Sequence, residues 1–296
     1  DKVWACWSSG WTDEEGSGQC IVYSMSDDGY SWTDPGVLTE PEPDGQGGEG
    51  VCISRGIFVQ DGALTAHVAH LDRLNPGVGW EGLRLARYRW DGSAWHSTGV
   101  LIDNAMTNFP PQPIGDRLLM TIRVGQRNRF YTALSEDLKG GEWQLTFLEG
   151  GARISEPSWY IDPDGVVQML CRDRERSKAL LRCLSTDNGE TWSAPVITNY
   201  PDTTSKNFTL QLSNGAYCLI NNPNREGRDP LAATFSVDGW TFDRPVALRK
   251  NAPLRRFAGR AKPGRSFQYP HAIEYNGSLW LICSVQIGRA SCRERV

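Results

Sequence analysis

A short turn closed by an aromatic residue recurs along this chain at a spacing near fifty residues, and no other feature limits the fold as tightly. Ser185 to Trp192 spells S-T-D-N-G-E-T-W and satisfies the frame S-x-D-x-G-x-T-W at every fixed position. Met25 to Trp32 fits the same frame with Met25 first and Asp27 as its acid, and Ser236 to Phe242 is a version one residue shorter around Asp238. Fainter copies run from Trp90 to Trp95 and from Ser135 to Trp143. The closing aromatics Trp32, Trp95, Trp143, Trp192 and Phe242 are separated by 63, 48, 49 and 50 residues. Every position has a physical reason. Asp caps a tight turn through neighbouring backbone N–H groups, Gly supplies positive φ, Thr resumes the extended chain, and the aromatic packs beneath the turn.

A strand-like run precedes each turn, such as Ala179 to Ser185, and another lies upstream of that, Val166 to Cys171. Four short strands per roughly fifty residues is the rhythm of a propeller blade. Composition agrees, because 31 Gly, 17 Pro and 12 Trp supply turns and bulky packing rather than helices. The expectation is an all-β, six-bladed β-propeller, with seven blades as the alternative, truncated at both ends. The domain would occupy 1–286. Residues 287–296 resemble the in-frame translation of a sequencing adapter and are expected to be a non-native tail.

No apolar run approaches the length of a membrane-spanning helix, so no membrane insertion is expected. Eight Cys form no C-x-x-C pair; Cys6, Cys171, Cys183, Cys218 and Cys283 fall in apolar runs and suit buried packing, and no metal site or cofactor is implied. Thirty-five acids against 31 bases give a net charge of -4, which argues against a nucleic-acid partner. Twenty-five of those bases are Arg, whose planar fork grips carboxylates. The compartment is not fixed by these features, a secreted or periplasmic setting being favoured over the cytoplasm, and the chain is expected to act as a monomer.

The turns, taken with four further residues, resemble the sialidase superfamily, in which they are known as Asp boxes. Glu156 and Arg172 stand sixteen positions apart around a Gly165 hairpin, as that family's catalytic Glu and one carboxylate-binding Arg do. Asn222-Pro223 followed by Arg228, eight residues before Ser236, matches a second Arg, and Tyr269 enters the last blade where the family has its nucleophile. The resemblance spans most of residues 1 to 285. It implies an exo-α-sialidase-like glycosidase on a terminal acidic sugar, with Tyr269 as nucleophile, Glu156 as its base and Arg172 and Arg228 as the clamp. The scheme is chemically coherent, because a carboxylate nucleophile would be repelled by the bound anion whereas a neutral Tyr is not. An ordinary surface pairing of Arg172 with Asp173 or Glu175 would leave it without that role.

The sequence departs from the family in places. The family's first Arg would lie upstream of Val3, and Arg55 belongs to the second blade, where it is a candidate substrate contact. The acid–base carboxylate falls on Glu14 or Asp13. His67, His70 and His271 are candidate substrate contacts; period-two geometry puts His67 and His70 on opposite strand faces, a poor metal pair. Ulvan lyases of related fold use His, Tyr and Arg beside a uronate carboxylate, and Tyr269-Pro270-His271 keeps a polysaccharide lyase open. A non-catalytic carbohydrate-binding propeller is the third reading. The partner in every case is an acidic glycan, a sialoside or a uronate.

Overall fold

The computed structural model describes residues 2–11, 15–75, 79–125, 129–252 and 266–285, together with the backbone of 290–295. Among them every regular element is a strand, and no helix is long and apolar enough to cross a membrane. The chain divides into two compact units, Asp1–Leu145 and Thr146–Val296.

In the first unit, β1 (Val3–Ser9), β2 (Cys20–Ser26) and β3 (Gly36–Thr39) form a three-stranded antiparallel meander. The second sheet orders β4 (Val51–Gln60), β5 (Ala63–Leu71), β8 (Arg84–Trp90) and β9 (Trp95–Asp103), with a ribbon of β6 (Arg73–Asn75) and β7 (Gly79–Glu81) inserted after β5. The third orders β10 (Ala105–Thr107), β12 (Arg117–Val124), β13 (Arg129–Ser135) and β14 (Trp143–Phe147), and β11 (Gln112–Ile114) also pairs with β12. The second unit continues with β15 (Ile154–Ile161), β16 (Val167–Asp173), β17 (Ala179–Ser185) and β18 (Val196–Pro201), then β19 (Phe208–Gln211), β20 (Tyr217–Asn221), β21 (Leu231–Ser236) and β22 (Asp243–Arg249). Its last sheet pairs β23 (Phe267–Tyr275), β24 (Ser278–Val285) and β25 (Ala290–Arg295).

Burial follows strand position. The second and third strands of the fourth sheet are almost wholly buried, while the outer strands β9, β18 and β22 are largely exposed. A strand covered on both faces takes a run that is mostly apolar, such as Met169 to Cys171, with the buried Gln168 beside it bonded to Asp162, and an edge strand does not. Between the fourth and fifth sheets the core is aromatic: Tyr160, Leu170, Leu180 and Tyr200 meet Tyr217 and Leu219.

The turns behave as staples. In the fourth sheet Asp187 accepts from the Thr191 N–H and hydroxyl, and the Trp192 indole donates to the Gly189 carbonyl at 3.1 Å. Trp143 makes the same bond to Gly140. The closing aromatics Trp32, Trp192 and Phe242 are half-buried rather than fully enclosed, since each lids its own turn at the surface.

The first turn corrects the sequence register. Asp28, not Asp27, accepts from the backbone of Tyr30 and Ser31 and from Ser26, and these bonds hold its carboxyl down to about 2. Ser26 to Trp32 is thus the shorter form seen at Ser236 to Phe242, and Asp27 reaches out to Lys2 instead. The doubled acid made both frames legible. We expect Asp28→Ala and Asp187→Ala each to lower the melting temperature by a few degrees, as lost caps do, while Asp27→Ala leaves it within about a degree. Thermal scans of the three variants check this.

The fifth turn also docks on the fourth sheet. Tyr160 donates to the Gly239 carbonyl at 2.6 Å, the Trp240 indole donates to Asp162 at 2.8 Å, and the Arg182 guanidinium lies 4.8 Å from the Trp240 ring. A Cβ at Gly239 would come within 3.2 Å of Tyr160 and Asp162, and its φ is +72°. Only Gly combines that backbone with that approach.

Candidate active site

Three sheet-opening strands share an interruption. The ladder slips between Ser54 and Ile57 in β4, between Ser155 and Ser158 in β15, and between Gln268 and His271 in β23. The residues inside these bulges are Arg55-Gly56, Glu156-Pro157 and Tyr269-Pro270. Proline cannot donate to a ladder, so it forces the slip in the latter two. Glu156 and Tyr269 adopt φ of +47° and +54°, a region that costs a bulky residue about 1–3 kcal/mol. In β4 the bulge is set by Gly56 at φ +117°, where a Cβ would lie 2.3 Å from the Pro110 ring.

Around the second and third of these bulges the charged residues gather. Arg172, at the end of β16, donates from Nη1 to Glu156 Oε2 at 2.8 Å, and both side chains are mostly buried. Burial alone would raise the Glu156 carboxyl. The charges of Arg172, Lys206 and Arg228 together outweigh it and hold the group down to about 2. Burial likewise opposes the Arg172 charge, and Glu156, Tyr269 and Asp202 more than restore it. Arg228 bonds from Nη1 to Gln268 Oε1 and from Nη2 to the Thr204 carbonyl at 3.3 Å. Its own carbonyl accepts from the Phe267 N–H at 2.9 Å and from Asn222 Nδ2 at 3.1 Å. Arg228 is therefore strapped to the strand that carries Tyr269.

His271 packs its ring 4.6 Å from Phe208, and burial with the nearby Lys206 charge pushes it down to about 4, so the imidazole is neutral at pH 7. Arg172 does not pair with Asp173 or Glu175. Strand alternation turns Asp173 to the opposite face, where Arg153 binds it through Nε at 3.0 Å and Nη2 at 2.9 Å and also reaches Glu175 at 3.3 Å.

The remaining candidates lie in the first unit. Arg55 donates to Met106 Sδ at 2.9 Å. His67 and His70 are 1% and 3% exposed. His67 meets Phe58 edge-on at 4.9 Å, and His70 bridges Cys52 at 3.5 Å and Tyr88 at 2.9 Å. Both are packed within the second sheet. Asp13 and Glu14 lie outside the described residues.

Burial pushes the His67 imidazole down to about 3, from an ordinary value near 6.5. The unfolded chain takes up that proton below pH 6.5 while the folded one does not, so stability falls as pH drops from 6.5 towards 3. His67→Gln should flatten the decline of melting temperature between pH 6.5 and 4, measured beside the parent protein.

Residues 1–282 match the BNR repeat-like domain. The chain belongs to that family. The staples described above are its BNR repeats, and solved structures identify the fold they build as the β-propeller of sialidases. A Hadza microbial sialidase, Hz136, superposes with a TM-score of 0.74 at 15% identity over 97% of this chain and 62% of its own. The intramolecular trans-sialidase from Ruminococcus gnavus, solved with oseltamivir carboxylate, gives 0.73 at 12% identity over 99% and 91%. Trypanosoma rangeli sialidase gives 0.68 at 14% over 98% and 52%. The chain thus spans less than two thirds of the first and third of these proteins. No curated protein sequence matches it.

Two residues of this cluster escaped the sequence. Lys206 sits on the β18–β19 connection, a segment tied down by the buried Asp202, which accepts from the Ser205 N–H at 2.9 Å and from Asn221 at 3.4 Å. Gln268 precedes Tyr269 and is 1% exposed. A lone Lys and a strand Gln carry no motif. The legible signal was the X-Pro pair inside an opening strand.

Proposed function

We propose that this protein is an exo-α-sialidase-like glycoside hydrolase acting on a terminal acidic sugar. The observation that carries the reading is the Arg172–Glu156 pair, with Arg228 tied to the strand of Tyr269. Arg172 and Arg228 would receive the sugar carboxylate, a planar anion suited to guanidinium forks. Tyr269 would attack the anomeric carbon and Glu156 would take its proton. With a carboxyl held near 2, Glu156 is a feeble base in the free protein. An arriving carboxylate offsets the Arg172 and Arg228 charges, which lifts the Glu156 proton affinity at the moment the base is needed. Asp13 or Glu14 would supply the acid to the leaving group. The six successive sheets would be six blades of one domain over 1–286, with 287–296 a foreign tail.

One observation favours a second reading. His271 is held neutral two residues after Tyr269, as a base for uronate proton abstraction would be. The test is to assay the protein on aryl α-sialosides and uronate polymers in parallel. Release of the aryl group supports the hydrolase. Appearance of an ultraviolet-absorbing unsaturated uronate replaces it with the lyase, and turnover of neither leaves a carbohydrate-binding propeller.

A further inference from the structure

We infer that Arg174 binds a second anion beside the sugar carboxylate, so that the glycan this protein takes carries a further carboxylate or sulfate ester next to its terminal acidic sugar. The inference deepens the reading above and rests on it. Alternation returns Arg174 to the face of Arg172, two residues before it on β16. The ladder extends to it, because the Arg174 N–H donates to the Arg153 carbonyl at 2.9 Å. The acids beside it in sequence are engaged elsewhere. Asp173 and Glu175 both bind Arg153, at 2.9 and 3.3 Å. Among the described residues the Arg174 guanidinium makes no hydrogen bond and no ion pair, and the residue is exposed just past the end of β16.

The surroundings oppose this charge instead of neutralising it. Partial burial pushes the Arg174 guanidinium below its ordinary value, the Arg172 charge pushes it further, and Glu156 offsets only part of that. Glu156 is already shared, since Arg172 bonds it and the charges of Lys206 and Arg228 also bear on it. A cation kept where the fold disfavours it marks a place reserved for a ligand rather than a solvated surface. The guanidinium stays charged even there, so it remains able to bind. Arg172 and Arg228 would receive the carboxylate of the terminal sugar, which leaves the Arg174 fork to a different oxyanion. Because Arg174 stands exposed at the strand end, that anion would come from a neighbouring sugar or a substituent and not from the enclosed carboxylate.

The test is calorimetric titration of the intact chain carrying Tyr269→Phe, to suppress turnover. The sialoside probes are 3′-sialyllactose, with a single carboxylate, its 6′-sulfated derivative and α2,8-linked disialic acid. The uronate probes are the unsulfated and the 6-sulfated chondroitin disaccharides. We expect a doubly anionic probe to bind about tenfold or more tightly than its singly anionic counterpart, the worth of one charge-assisted contact. Tighter binding of the sulfated sugars assigns a sulfate ester, and tighter binding of disialic acid alone assigns a carboxylate. Adding Arg174→Gln should abolish the preference and leave 3′-sialyllactose binding little changed, Arg174→Lys should keep part of it, and Arg172→Met should weaken every probe. Thermal scans verify that each variant keeps its fold. A preference confined to the uronate pair ends the sialidase reading while the Arg174 site stands. Equal binding of singly and doubly anionic probes in both series, a preference that survives Arg174→Gln, or no binding of any probe overturns the inference.

Discussion

Tyr269→Phe is expected to lower kcat/KM for aryl α-sialosides by about a thousandfold or more, with KM and melting temperature little changed. The substitution removes one oxygen and leaves the ring, the β23 bulge and the arginines in place. Transition-state bonding is lost while ground-state binding to Arg172 and Arg228 remains, so the loss falls on kcat. Glu156→Gln should cost activity at every pH. Because Glu156 is ionised in the free protein down to about 2, protonating it cannot produce an acid limb in kcat/KM above pH 3. Near-normal hydrolysis by Tyr269→Phe would end the glycosidase reading and leave His271 as the group to test against uronates.

The fold was legible because its signal is periodic. Turn chemistry recurs along the chain, and the same indole-to-glycine bond closes the turns at Trp32, Trp143 and Trp192. The register within one turn was less so: Asp27 and Asp28 both fit a frame, and only the backbone N–H groups of Tyr30 and Ser31 choose between them. The residues around Glu156 were legible by spacing along the chain, whereas their electrostatics were not. Nothing in the sequence couples Lys206 to Glu156, because that proximity arises from the connection between two sheets. The burial of His67 and His70 was not legible for a related reason. Alternation gives the face of a strand, but both faces of β5 are covered, so facing inward does not mean facing a ligand.

The same alternation sets up the largest stability effect expected in the second unit. Asp173 follows Arg172 on β16 and points the other way, where its side chain is 1% exposed and Arg153 grips it through two nitrogens. It also accepts from the backbone N–H groups of Glu175 at 2.9 Å and Ser177 at 3.2 Å, so one carboxylate satisfies the whole turn leaving β16. Burial would raise this carboxyl, but Arg153, Ser177 and Glu175 together hold it down to about 2. Asp173→Ala strips partners from a guanidinium and two N–H groups at once, and removing one member of such a buried pair costs about 3–5 kcal/mol. Urea unfolding at pH 7 should show that loss as a lower midpoint at unchanged slope. The pH sign follows from the depressed carboxyl: the stabilisation is fully present above the ordinary Asp value near 4 and is lost as pH falls towards 2. The gap between parent and Asp173→Ala should therefore narrow across that interval. A gap that stays constant from pH 7 to 2 would mean that the ion pair contributes nothing and that the backbone bonds alone hold the turn.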